Sequence, residues 1–139
     1  KPHFISFQQL KLDAEKGDQI SLFNLGRVYF GEPLNRGVFV ETGPNNVENY
    51  ANAYKCFCEV IEKFYRNDEI QEEFLESDEC VDSLFYLGVM FSNGLGVDED
   101  YEIALKWFYK YEKWGQSGPK NYYPTYISGL NHLKKQQEI

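Results

Sequence analysis

Groups that do chemistry are scarce in this chain of 139 residues, which has 2 His and 3 Cys. The histidines, His3 and His132, lie near the two ends. Neither has a Cys or Ser arranged as a nucleophile site would need. Zinc takes about four ligands in compact spacing, and the sequence does not supply them. No metal and no other cofactor is expected. Cys56 and Cys58 form a C-x-C pair, not the C-x-x-C of a redox motif. On a helix such side chains point roughly 200° apart, so with Cys80 they read as buried, reduced thiols. That leans towards a reducing, cytoplasmic-type compartment. No apolar run reaches the about 18 residues that a membrane-spanning helix needs, so no direct membrane insertion is expected. The chain opens Lys1-Pro2-His3-Phe4, without an initiator Met or a signal-like run, and reads as a fragment or a processed product.

Positive charge is scarce in the middle of the chain. Residues 64–104 carry 1 basic and 12 acidic groups, against 7 and 8 in residues 1–63 and 6 and 2 in residues 105–139. The net charge of −8 repels a phosphate backbone, which argues against nucleic acid as a partner, and disfavours anionic membrane surfaces. Aromatics are plentiful by contrast, at 17%. A chain of this length and composition buries a real core, on the order of two-thirds of its unfolded surface.

Helical periodicity dominates, and it repeats. Ser21-Leu22-Phe23-Asn24-Leu25-Gly26 matches Ser83-Leu84-Phe85-Tyr86-Leu87-Gly88, each followed three residues on by an aromatic, Tyr29 or Phe91. Asn49-Tyr50 to Lys55-Cys56-Phe57 matches Asp100-Tyr101 to Lys106-Trp107-Phe108. Each copy is thus a helix, a turn and a second helix, at about 19–30 with 47–64, and 78–92 with 98–114. Copy one holds an enlarged, Gly/Pro/Asn-rich segment at 31–47 that reads as an irregular loop. Asp18 is a natural N-cap, and Gly17 before it suits a left-handed helix end. Residues 4–16 read as an amphipathic helix, 66–79 as a short acidic helix in a joint spanning 64–79, and 123–136 as a closing helix that starts near Pro124. Mid-helix Gly costs about 1 kcal/mol against Ala. Gly26 and Gly88 are therefore expected where helices approach closely, opposite Ala53 and Ala104. The fold class is all-α, in a single domain over 1–139, with repeat one at about 18–64 and repeat two at about 78–115.

These residues resemble the Sel-1-like repeat family, a branch of the tetratricopeptide-type helical repeats. Copy one matches the pattern at Ala14, Gly17, Leu25, Gly26, Tyr29 and Ala53, with Ser21 in place of its small Ala. Copy two has Ser83 in place of the small Ala and follows the pattern at Leu87, Gly88 and Phe91, then through the turn Gly94-Leu95-Gly96-Val97 to Asp100, Ala104 and Trp107. That turn with the following Ala and Trp is the most specific piece. Copy one departs from the pattern: it lacks the G-x-G-V turn, and Cys56 stands at the Trp position. The resemblance implies a short right-handed α-solenoid of antiparallel helix pairs. It also implies a non-catalytic adaptor. Members act in membrane-protein quality control, cell-wall regulation and host interaction, by holding peptides or partner proteins.

A solenoid offers an extended concave face. On the first helix of each copy, the positions between the expected core residues are Phe23, Asn24 and Arg27, and Tyr86, Val89 and Met90. Tyr123 and Tyr126 extend that line. Asn and Arg suit peptide backbone and carboxylate groups, and Tyr is enriched at interfaces. The expected partner is a protein or peptide held on this face. The alternative is an inhibitor or regulator of an enzyme that binds through the acidic segment 68–82, with Glu72, Glu73 and Glu76 on one helical face. Asp98-Glu99-Asp100 lacks the alternating oxygen ligands of a calcium loop, and Gly94-Leu95-Gly96 lacks the Lys-Ser/Thr of a phosphate loop. Both read as a turn and a capped helix start.

Overall fold

Five helices carry the hydrophobic core in the computed structural model, which describes residues 3–31, 38–41, 49–63, 65–66, 69–70 and 78–114, with 131 and 135. The helices are α1 (Phe7–Glu15), α2 (Gln19–Phe30), α3 (Tyr50–Glu62), α4 (Asp78–Asn93) and α5 (Tyr101–Trp114). Each packs on the helix before and after it in the chain, and α2 also meets α4. The class is all-α in this core.

The helix starts have local causes. Ser6 stops α1 at its N-terminus, its hydroxyl accepting from the Gln9 N–H at 3.0 Å. Asp18 occupies the N-cap of α2, but its carboxylate accepts from the Ser21 hydroxyl and not from a backbone N–H. Gly17 has φ +99° and ends α1 in the left-handed region, as its sequence position suggests.

The two copies share their joints atom for atom. The Asn49 N–H donates to the Tyr29 carbonyl at 2.8 Å, and the Asp100 N–H donates to the Phe91 carbonyl at 2.9 Å. Asn49 then caps α3 by accepting from the Asn52 N–H at 3.0 Å, and Asp100 caps α5 by accepting from the Ile103 N–H at 3.1 Å. The enlarged segment in copy one therefore leaves the junction between its helices intact.

The mid-helix glycines lie where close approach requires them. A methyl group on Gly26 would stand 2.8 Å from the Phe57 ring, and one on Gly88 2.7 Å from the Phe108 ring. Phe57 and Phe108 are fully buried, as are Ala53 and Ala104. Large rings thus lie flush against a helix backbone where a side chain is missing.

Short strands are the departures from the sequence-based expectation. Residues 3–6 form β1 (His3–Ser6), not the first turn of a helix beginning at Phe4. β1 pairs in parallel with β2 (Val38–Glu41), His3 opposite Val38 and Ser6 opposite Glu41. Part of the expected irregular loop is thus tied to the start of the chain. The expected acidic helix at 66–79 opens instead as a hairpin of β3 (Tyr65–Arg66) and β4 (Glu69–Ile70). Two residues, Asn67 and Asp68, separate the strands in sequence, and this composition favours tight hairpin connections. Asp78 and Glu79 already belong to α4; residues 67–68 and 71–77 of that segment and the expected closing helix at 123–136, apart from helical residues 131 and 135, lie outside the described residues.

Candidate functional site

Three of the residues expected to bind a partner are interior. Phe23 is 2% exposed, Tyr86 7% and Met90 0%. An aromatic seam between the copies accounts for this. The Tyr86 ring stacks on Phe57 at 4.8 Å and 7°, and meets Phe23 at 5.9 Å and Phe30 at 5.2 Å edge to face. Such pairs contribute about 0.5–1.5 kcal/mol beyond area burial. These rings join α2, α3 and α4.

Asn24, Arg27 and Val89 are half-buried. The Arg27 guanidinium lies over the Phe23 ring at 5.8 Å. The Asn24 side-chain carbonyl oxygen, Oδ1, is buried and accepts no hydrogen bond among the described residues. Tyr123, Tyr126 and the alternative acidic residues Glu72, Glu73 and Glu76 lie outside the described residues.

A second concavity went unrecognised in the sequence. α1, α2 and α3 enclose a cleft of about 220 Å³ floored by Ala14, Leu22 and Leu25, with Tyr29 and Asn52 at one end. Its rim carries Lys11 and Glu15 from α1, and Lys55 and Glu59 from α3. The signal was present as two Lys-x-x-x-Glu pairs four residues apart. Only the parallel course of α1 and α3 gives them a shared meaning.

The thiols of Cys56 and Cys58 are chemically quiet. Cys56 and Cys58 are free, one buried and one half-buried. Burial, with a smaller push from the Glu59 carboxylate, raises the Cys56 thiol to about 12. Burial also raises Cys58, against the hydrogen bond that the Tyr54 hydroxyl donates to it. Neither is a thiolate at neutral pH. Among the described residues no group of three or more His, Cys, Asp or Glu side chains is placed to hold a metal ion, and no helix is long and apolar enough to cross a membrane.

Comparison with family models, with curated proteins and with solved structures gives no match to this chain.

Proposed function

We propose that this chain is a Sel-1-like interaction module that holds a peptide or partner protein and performs no chemistry of its own. The observation that carries the reading is the Asn24 Oδ1 atom, buried and without a hydrogen-bond partner among the described residues. Buried polar atoms are nearly always satisfied, and leaving one unpaired costs about 1–3 kcal/mol. A docked peptide that displaces the atoms covering Oδ1 would supply it with a backbone N–H, with Arg27 beside it on α2. Support also comes from the internal equivalence of the two helix pairs, whose joints and ring-on-glycine contacts coincide. Chains built this way stack units and use their surfaces for binding.

The test is affinity capture from native lysate with three baits: the parent chain, an Asn24→Ala/Arg27→Ala variant, and a Glu72→Lys/Glu73→Lys/Glu76→Lys variant. The reading expects a partner retained by the parent and by the acidic-segment variant and lost with the Asn24/Arg27 variant at unchanged melting temperature. Loss only with the charge reversal would replace it with the inhibitor reading.

A further inference from the structure

The geometry points to the cleft between α1, α2 and α3 as a binding site for a ligand that joins a carboxylate and a cation through an aliphatic stem. This site is independent of the Asn24 surface. Leu22, Leu25 and Tyr29 occupy one side of α2, and Phe23, Asn24 and Arg27 lie round the helix from them.

The polarity of the rim follows from the course of the helices. Phe7 at the start of α1 meets Tyr29 near the end of α2, ring to ring at 5.6 Å. Asn49 at the start of α3 also meets Tyr29, through its backbone N–H. Both helices therefore begin at the same end of α2 and run against it, parallel to each other. Lys11 precedes Glu15 and Lys55 precedes Glu59 by one helical turn in the same direction. By helical rise, each lysine lies about 6 Å nearer the Tyr29 end of α2 than the glutamate one turn after it. The Lys11 ammonium lies 5.7 Å over the Phe7 ring, on the side away from Glu15.

Size and charge then select the ligand. A cleft of about 220 Å³ is below the ≈ 300–1,000 Å³ of pockets for drug-sized molecules, and suits a group of amino-acid size. A phosphate or nucleotide would set its charge against Glu15 and Glu59. A carboxylate between Lys11 and Lys55, within reach of Asn52, leaves an aliphatic stem on Leu22 and Leu25. The cation at its far end then meets Glu15 and Glu59. Two sources present this chemistry: a free ω-amino acid, and the carboxy-terminal lysine of a polypeptide, whose α-nitrogen is an uncharged amide.

The experiment is an NMR titration that follows the Ala14, Leu22 and Leu25 methyl groups with four probes: 6-aminohexanoate, N-acetyl-lysine, hexanoate and hexylamine. Saturable shifts are expected with the first two, and binding about fivefold weaker with each probe that lacks one charge. Tighter binding of N-acetyl-lysine assigns the site to a polypeptide terminus, and tighter binding of 6-aminohexanoate to a free ligand. The exchange Lys55→Glu/Glu59→Lys keeps net charge and reverses the polarity of one rim. Both side chains are exposed, so the fold should persist while affinity for both zwitterions falls about tenfold. Lys11→Ala provides a second variant on the opposite rim, expected to weaken binding about threefold. Equal binding of all four probes, no saturable shift with either zwitterion, or unchanged affinity in the exchanged variant would overturn the assignment.

Discussion

At Cys56, burial decides both reactivity and the response to alkali. The thiol is pushed from 9 up to about 12, so thiol-directed reagents should modify it in the native chain far more slowly than in the unfolded one. In the unfolded chain it loses its proton near its ordinary value, while in the folded chain it keeps it. The unfolded state therefore binds fewer protons as pH rises above 9, and stability falls through the interval up to 12. Tyr54, raised to about 12 by burial first and then by its bond to Cys58, acts in the same direction. Melting temperature should fall between pH 9 and 11, with a shallower fall in Cys56→Ala. A flat profile in the parent chain would contradict this. Ser83 offers the opposite case: it is fully buried, and its hydroxyl has no partner among the described residues. Ser83→Ala should raise stability by about 0.5–1 kcal/mol, read by chemical denaturation, because it removes a desolvated hydroxyl and improves helix propensity. The interior placement of Phe23, Tyr86 and Met90 was not legible in the sequence. Helical spacing gives a side chain's angle round its own axis, but which neighbour covers that angle is a tertiary matter. For Tyr86 the neighbours are Phe57, Phe23 and Phe30.

At the scale of elements, the turn after α4 shows why its motif is specific. Gly96 has φ +73°, and a Cβ there would stand 2.6 Å from the backbone carbonyl of Tyr50 in the first turn of α3. The second copy's turn is thus seated directly on the first copy's second helix. Backbone cannot yield as a flexible side chain can. Gly96→Ala should destabilise by about 2 kcal/mol or more, from the left-handed conformation and the clash together, whereas Lys106→Ala on the exposed face of α5 should change little. Denaturant midpoints of the two variants check this. The helices α2 to α5 were legible to within about three residues because caps and periodicity are local. β1 and β2 were not, because residues more than thirty positions apart make that ladder, and nothing in either segment alone names its partner. The hairpin at 65–70 was masked by its acidic, helix-compatible composition. The cleft was hidden for a related reason: its rim draws on two helices that are neighbours only across α2.

At the scale of the whole molecule, two of its helix pairs make the same structural statement. The same cap-to-carbonyl bond and the same ring-on-glycine contact occur in the pair α2 and α3 and in the pair α4 and α5. An aromatic seam centred on Tyr86 joins them. The acidic excess belongs to the middle of the chain, and the cleft between α1, α2 and α3 has a balanced rim, so the surfaces differ although the supporting pairs agree. The most direct measurement is thermal unfolding of Gly26→Ala beside Gly88→Ala. Each inserts one methyl group against a buried Phe ring, an overpacking cost of about 1–3 kcal/mol that exceeds the helix-propensity gain. Equivalent pairs predict that both variants melt lower by similar amounts, about 5 °C each. A variant that melts at the parent temperature while the other falls would contradict the equivalence of the two pairs.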